Sequence, residues 1–382
     1  MAGRIGSQPR NADQASETAV RISSAKERLR EKLRGLDVAS LGLSEYNQRY
    51  LGQKLKKIDD PLELYEHLLT LCLSGHPSAI EDVAIVDYGA GSGVLSLFAK
   101  EVGIGTVVYN DIYDVSGDDA RRVSEAVGLP LDHFVCGDVD ELVAYVAQNN
   151  VPINAIVSYD VLEHIYDVES HFEALGSMPL PSGFLRIVHG SGANIRNPRY
   201  VRRVTKAQHA DENFDREPEW GWKERDSLQS FLEIRKTIVA DAGPELTPDQ
   251  VDSLARATRG LRKDDIESSV AEYRETGRIS YQPDHPTNTC DPWTGNWSEH
   301  LMSHAWLEQV LRDTGFRGKI LAGRYPIAGT GPKKVVKQVL NAGLSAVGRA
   351  ALPIAPYYVV YAEKSADPAT ADTARVEQPA RS

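Results

Sequence analysis

The chain has 382 residues, with 43 Lys and Arg against 54 Asp and Glu, and a formal charge of −11. Hydrophobic residues make up 41% and charged residues 25%, which excludes a mostly disordered chain, and the length suits two domains or one domain enlarged by an insertion. Net acidity argues against a general polyanion binder, so no nucleic-acid partner is expected. Cys72, Cys136 and Cys290 are widely separated and form no CxxC. That argues against a disulfide framework or a four-cysteine zinc site, and it suits a reducing cytoplasm.

In chain order, residues 1–36 read as a tail, disordered to about residue 20 and then a charged surface helix over 23–36. Residues 1–22 lack an apolar h-region, so no secretory signal is expected, and no apolar run reaches membrane-spanning length. Residues 37–80 form an N-terminal helical segment in which Leu62, Tyr65, Leu68, Leu69 and Cys72 recur at helical spacing. Short apolar strands then alternate with helices: strands at 83–88, 106–109, 132–136, 155–158 and 184–188, helices at 94–102, 118–127 and 139–148. This is the pattern of a parallel sheet covered on both faces.

The alternation stops near His189 and resumes with a helix at 306–314 and strands at 319–321 and 357–362. The sheet therefore needs residues 81–190 plus 306–364, and 191–305 reads as a mainly helical cap inserted between them. Thr247 before Pro248 is a helix start, Gly260 and Gly277 are helix stops, and 280–297 is irregular. The helix at 333–349, with Val335, Val336, Val339, Leu340, Leu344 and Val347, either covers the sheet or makes peripheral contact with a membrane; covering the sheet is the expectation. Residues 365–382 read as a disordered tail.

The chemistry begins at Gly89-Ala90-Gly91-Ser92-Gly93, a glycine-rich turn between a strand and a helix. Glycines there let backbone approach a ligand closely. The spacing is GxGxG, without a Walker lysine. Asp87, two residues before the turn, would repel a pyrophosphate but hold a cationic amino-acid group. Asp111 ends the next strand and suits a ribose; Asp138 ends the third and suits an adenine amino group.

With Asn110-Asp111, Gly137-Asp138 and Ser158-Tyr159-Asp160-Val161-Leu162-Glu163-His164-Ile165 in order behind that turn, the sequence resembles the class I S-adenosylmethionine-dependent methyltransferases. It is most similar to the large subgroup with Leu-Glu-His after the fourth strand. The resemblance covers about residues 81–190 and 300–364. It implies a Rossmann-like, seven-stranded, mostly parallel sheet with an antiparallel last strand, and S-adenosyl-L-methionine as cofactor. It implies that Asp87, Gly89, Ala90, Gly91, Gly93, Asp111, Ile112, Asp138, Val139, Tyr159 and Asp160 bind that cofactor.

Methylating a hydroxyl needs a base near the ends of strands four and five. The candidates are His189, Asp160 and His164, and a second set is Glu299, His300 and His304. His300 and His304 would share a helix face, yet the set lacks HExxH spacing, and no metal is expected. All five tryptophans lie between residues 220 and 306. Trp293, Asn296 and Trp297 suit a sugar ring or pack the cap. Arg196, Arg199 and Arg203 make a cationic stripe that either holds an acceptor's phosphate or is a solvated helix face. The expected activity is O-methylation of a polar small molecule or glycan, in the cytoplasm. The alternatives are N- or C-methylation and cofactor binding without transfer.

Overall fold

The computed structural model describes residues 9–218, 226–327 and 331–366. Trp220, Trp222, residues 1–8 and most of the expected C-terminal tail lie outside the described residues. The chain opens with helices α1 (Pro9–Arg34), α2 (Glu45–Lys56) and α3 (Asp59–Leu73). The alternating layer follows: β1 (Ala84–Tyr88), α4 (Val94–Val102), β2 (Thr106–Asp111), α5 (Asp114–Ala126), β3 (His133–Cys136), α6 (Val139–Asn149), β4 (Ala155–Tyr159), α7 (Val168–Ser177) and β5 (Phe184–Ser191). Then come α8 (Pro198–Asn213), α9 (Phe231–Ala242), α10 (Pro248–Ala257) and α11 (Lys263–Thr276). The chain returns through α12 (His304–Asp313), β6 (Arg317–Ala322), α13 (Pro332–Val347) and β7 (Tyr358–Ser365).

The seven strands form one sheet in the order β3-β2-β1-β4-β5-β7-β6. Only β7 is antiparallel to its neighbours, as expected. Each strand buries alternate side chains on opposite faces. Val86 packs with Val108, Ile156 and Phe172 on one side, and Ile85 with Val107, Val157 and Leu69 on the other. That double burial explains the continuous apolar runs. Strand order reverses between β1 and β4, which opens a crevice at their carboxyl ends.

Helix α1 corrects the expectation of a disordered start followed by a surface helix. Ile22, Ala25, Leu29 and Leu33 are buried along one face. Lys26 is also buried and reaches Glu63 and Glu66 at 2.6 Å each. The charged residues between these positions hid an amphipathic pattern.

Helix α13 corrects a second expectation. Its apolar residues do not cover the sheet: Val335, Val336, Val339 and Val347 are each more than half exposed, and Leu340 is 38% exposed. Only Asn341 and Leu344 turn inward. The connection that carries α13 leaves at Ala322, which pairs with Tyr358, and Tyr358 pairs with Ser191. It therefore sits on the carboxyl edge of the sheet, the edge of the crevice.

The cap helices have a core of their own, including Phe231, Ile234, Ile238, Leu254 and Ile266. Thr247 caps α10 with Pro248 in its first turn. Buried Arg235 on α9 pairs with Glu212 on α8 and donates to the Ala255 carbonyl at 2.7 Å. Thr289 holds the other Glu212 oxygen at 2.7 Å.

Candidate active site

The turn after β1 lies where the crevice opens. Gly89 and Gly91 have φ of 67° and 54°, in the left-handed region. A Cβ at Gly89 would lie 2.5 Å from Val161 Cγ2. The Gly91 N–H donates to Asp111 Oδ2 at 2.8 Å, and the Gly91 carbonyl accepts from the Tyr109 hydroxyl at 2.6 Å. The second Asp111 oxygen accepts the Tyr113 N–H at 2.8 Å. The end of β2 thus fastens the turn while each carboxylate oxygen keeps further acceptor capacity.

Asp87 is buried below the turn, and Ser96 on α4 donates to its Oδ2 at 2.6 Å. Burial pushes its carboxyl up to about 7, against the opposing hydrogen bond from Ser96. A cavity of about 590 Å³ opens here, lined by Asp87, Gly89, Ala90, Gly91, Tyr159 and Asp160. Its opposite wall comes from α2 and α3, with Tyr50, Lys54 and Tyr65. Lys54 Nζ lies 3.4 Å from the Tyr65 hydroxyl and 4.8 Å from the Tyr50 ring centre.

Beyond Gly91 the strand tips form a shelf. Ile112 is 51% exposed after Asp111. The Gly137 N–H donates to the Asp111 carbonyl at 3.0 Å, which brings Asp138 and Val139 alongside. Asp138 caps α6: its Oδ1 accepts the Asp140 N–H at 2.9 Å, and its own N–H donates to Glu141 Oε2 at 3.0 Å in a capping box. The residues expected to bind the cofactor therefore form one continuous edge over the tips of β1 to β4.

Asp160 stands at the cavity lip with φ of 62°, a strained setting for a residue other than glycine. Its N–H is tied to the Gly190 carbonyl at 2.9 Å. Two more carboxyls belong to this corner. Glu163 is fully buried; its Oε1 accepts the Gly192 N–H at 3.1 Å, and its Oε2 has no partner among the described residues. Glu299 accepts the Tyr200 hydroxyl at 2.7 Å. Burial, and then the charge of Asp160, raises both carboxyls above the ordinary range. Arg203 borders the cluster, with its guanidinium 4.6 Å from the Tyr200 ring centre.

The histidines lie elsewhere. His189 is not beyond the end of its strand, because β5 continues to Ser191. It is buried against Tyr88, His171 and Phe172, and it is bonded to Ser158. Burial drives its ring down to about 3, so it stays neutral and faces the core, not the cleft. His300 and His304 do not share a helix face, because α12 begins at His304. His300 stacks on Trp297 at 4.2 Å, and its N–H donates to the Glu163 carbonyl at 2.9 Å. His164 Nδ1 meets the Trp297 carbonyl at 2.8 Å, joining the end of β4 to the cap.

The proposed sugar platform is not assembled. Trp297 is buried between cap and core, stacked with Tyr166 as well as His300. Trp293 and Asn296 belong to a loop folded around Asp291, whose Oδ1 accepts the Trp293 N–H at 2.8 Å. Arg196 and Arg199 are exposed at the start of α8 and do not line the cavity. Lys54, Tyr65 and Glu163 are the residues that sequence reading left without a site role, and Glu299 is the member of the second base set that reaches this corner. Lys54 carries no motif, and Glu163 reads as structural within Leu-Glu-His. Glu299 is separated by more than 130 residues from the strand tip it meets.

No family model and no curated protein matches the sequence. Several solved structures are similar to it at low identity and low TM-score. Geranyl diphosphate C-methyltransferase from Streptomyces coelicolor A3(2), in complex with Mg2+, geranyl-S-thiolodiphosphate and S-adenosyl-L-homocysteine, is 13% identical with a TM-score of 0.38, over 86% of this chain and 84% of that one. An S-adenosylmethionine dependent methyltransferase from Mesorhizobium loti is 14% identical with a TM-score of 0.36, over 79% and 98%. A SAM dependent methyltransferase from Aquifex aeolicus is 11% identical with a TM-score of 0.35, over 81% and 97%. At these identities and scores they say nothing of this chain's reaction. The strand order and the antiparallel last strand are themselves those of the class I methyltransferase fold that the sequence resembles.

Proposed function

We propose that the chain is an S-adenosylmethionine-dependent methyltransferase that methylates a hydroxyl of a polar small molecule or glycan. The carrying observation is the glycine turn with a carboxylate on each side: Asp87 below it, and Asp111 bonded to Gly91 at 2.8 Å. The residues fit the cofactor. Gly89 and Gly91, both at positive φ, keep the turn free of side chains where the cofactor would lie against it. Asp87 is a buried acid that a cationic ammonium would return to its charged form. Asp111 has lone pairs left for two ribose hydroxyls, and Ile112 and Val139 offer apolar faces to a base. Lys54 suits the carboxylate of the amino-acid part.

When bound, the cofactor supplies a methyl group made electrophilic by a sulfonium. The chain must then orient the acceptor and take its proton. Glu299 is the favoured base, because its raised carboxyl and its bond to Tyr200 put a proton acceptor beside the cavity lip. Glu299 would take the proton that the acceptor hydroxyl gives up. Asp160 orients the acceptor hydroxyl at the lip, and Arg203 favours an acceptor bearing an anionic group.

Calorimetry with S-adenosylhomocysteine and with NAD, followed by cofactor turnover against a panel of hydroxylated acceptors, tests this reading. Binding of the first ligand and acceptor-dependent turnover support it. Binding of NAD alone overturns it.

A further inference from the structure

Residues 314–362 contain seven Lys and Arg and no Asp or Glu, in a chain with 54 acidic residues. Helix α13 lies in this stretch. Along it Val335, Val336, Val339, Leu340 and Val347 form one exposed stripe, continued by Ile354. Single exposed apolar residues are ordinary, but a contiguous stripe at helical spacing marks a surface that meets something apolar.

Three observations narrow what that is. Lys334 and Lys337 border the stripe near one end, and Arg349, which is paired with Glu308 of α12, lies near the other. The stripe lies on a convex helix and not in a groove. The cationic field also continues onto α8: Asn194 Nδ2 donates to the Leu352 carbonyl at 2.9 Å and Asn197 Nδ2 to the Ala355 carbonyl at 2.9 Å, which bring the exposed Arg196 and Arg199 next to this segment. A second copy would bring the same positive charge and be repelled. A nucleic acid would use the cations but not the valines. An anionic lipid surface uses both, with apolar side chains entering the acyl boundary and cations meeting headgroups.

We propose that α13 and the basic start of α8 form a docking face for an anionic lipid bilayer. Among the described residues no helix is long and apolar enough to cross a membrane, so the contact is peripheral. The face shares the carboxyl edge of the sheet with the Gly89 turn and Asp160. Docking therefore brings the cleft near the lipid surface, and the docking itself does not depend on what the cleft binds.

The test is sedimentation of the full chain with vesicles of phosphatidylglycerol and phosphatidylcholine, and with phosphatidylcholine alone. The chain should bind the anionic vesicles and bind the neutral ones about tenfold more weakly or worse. The V335D/V339D double variant should lose about tenfold or more in anionic-vesicle binding. Its melting temperature and its affinity for S-adenosylhomocysteine should be unchanged, which separates this result from failure of the methyltransferase reading. A K334E/K337E variant gives the charge arm independently. Absence of anionic-vesicle binding by the folded wild type overturns the proposal. So does a concentration-dependent dimer, seen by sedimentation velocity, that V335D/V339D dissolves, because a second copy would then cover the face.

Discussion

Asp111 holds Gly91: the carboxylate that ends β2 accepts the N–H of the turn that follows β1, at 2.8 Å. One side chain therefore shapes the glycine turn and offers its remaining lone pairs to a ligand. Asp111→Asn keeps one acceptor oxygen and gives up the charge and the second. Loss of hydrogen bonds to a charged group is worth about 1.5–3 kcal/mol each. Isothermal calorimetry should read a fall of about tenfold to a hundredfold in affinity for S-adenosylhomocysteine, and the melting temperature should fall as well, because one of the Gly91 and Tyr113 N–H groups loses its acceptor.

Gly89 is fixed by two independent constraints, its positive φ and Val161. Gly89→Ala should weaken cofactor binding about tenfold or more, because the added methyl must displace Val161 and the backbone is strained by about 1 kcal/mol. Adding Val161→Ala removes the collision but not the backbone strain. The double variant should recover part of the affinity, and full recovery would mean that the strain is unimportant.

Asp87 gives a pH signature. Burial holds its carboxyl near 7, against the opposing hydrogen bond from Ser96 and the charge of Lys54, so below that pH it is protonated and meets an ammonium poorly. Affinity for S-adenosylhomocysteine should rise as pH increases through about 7, and Asp87→Asn should flatten the dependence. For folding the sign is reversed. The native state retains a proton that the unfolded chain releases near the ordinary carboxyl value, so Asp87 lowers stability as pH rises from there to about 7. Asp87→Asn should raise the melting temperature at alkaline pH. Titration by calorimetry and thermal melts across that range checks both signs.

Much of the sheet is legible in the sequence because its strands are buried on both faces and punctuated by glycine and acid at their carboxyl ends. Val83 to Tyr88 followed by GxGxG announces a strand, a turn and a helix by local chemistry alone. Helix α1 was hidden because Ile22, Ala25, Leu29 and Leu33 are spaced among charged residues. The acid corner was hidden for a different reason. Glu299 meets Tyr200 and the field of Asp160 only after the cap folds back, and no local spacing encodes that meeting. His189 misled because the strand was read as ending at Val188, whereas pairing with β7 carries β5 on to Ser191.

Glu299 and His189 should separate cleanly in kinetics once an acceptor is found. Glu299→Gln removes the proton acceptor, so kcat should fall about a hundredfold while cofactor affinity holds. His189→Gln should leave kcat near wild type and lower the melting temperature, because its ring is packed against His171 and Phe172. Steady-state rates with thermal melts distinguish the two roles.

Arg235 anchors the cap. Arg235→Met would leave Glu212 buried with only Thr289 and the more distant Arg259 for company. Breaking one side of a buried pair costs about 3–5 kcal/mol. Denaturant unfolding should show that loss, and the replacement of both partners by apolar residues should show less of it.

The most direct measurement is calorimetric titration of S-adenosylhomocysteine into the wild type and into the Asp87→Asn, Asp111→Ala double variant, with circular dichroism confirming that both are folded. The wild type should bind, and the folded double variant should lose about a hundredfold or more in affinity. Equal affinity in the two proteins would contradict a site built on those carboxylates.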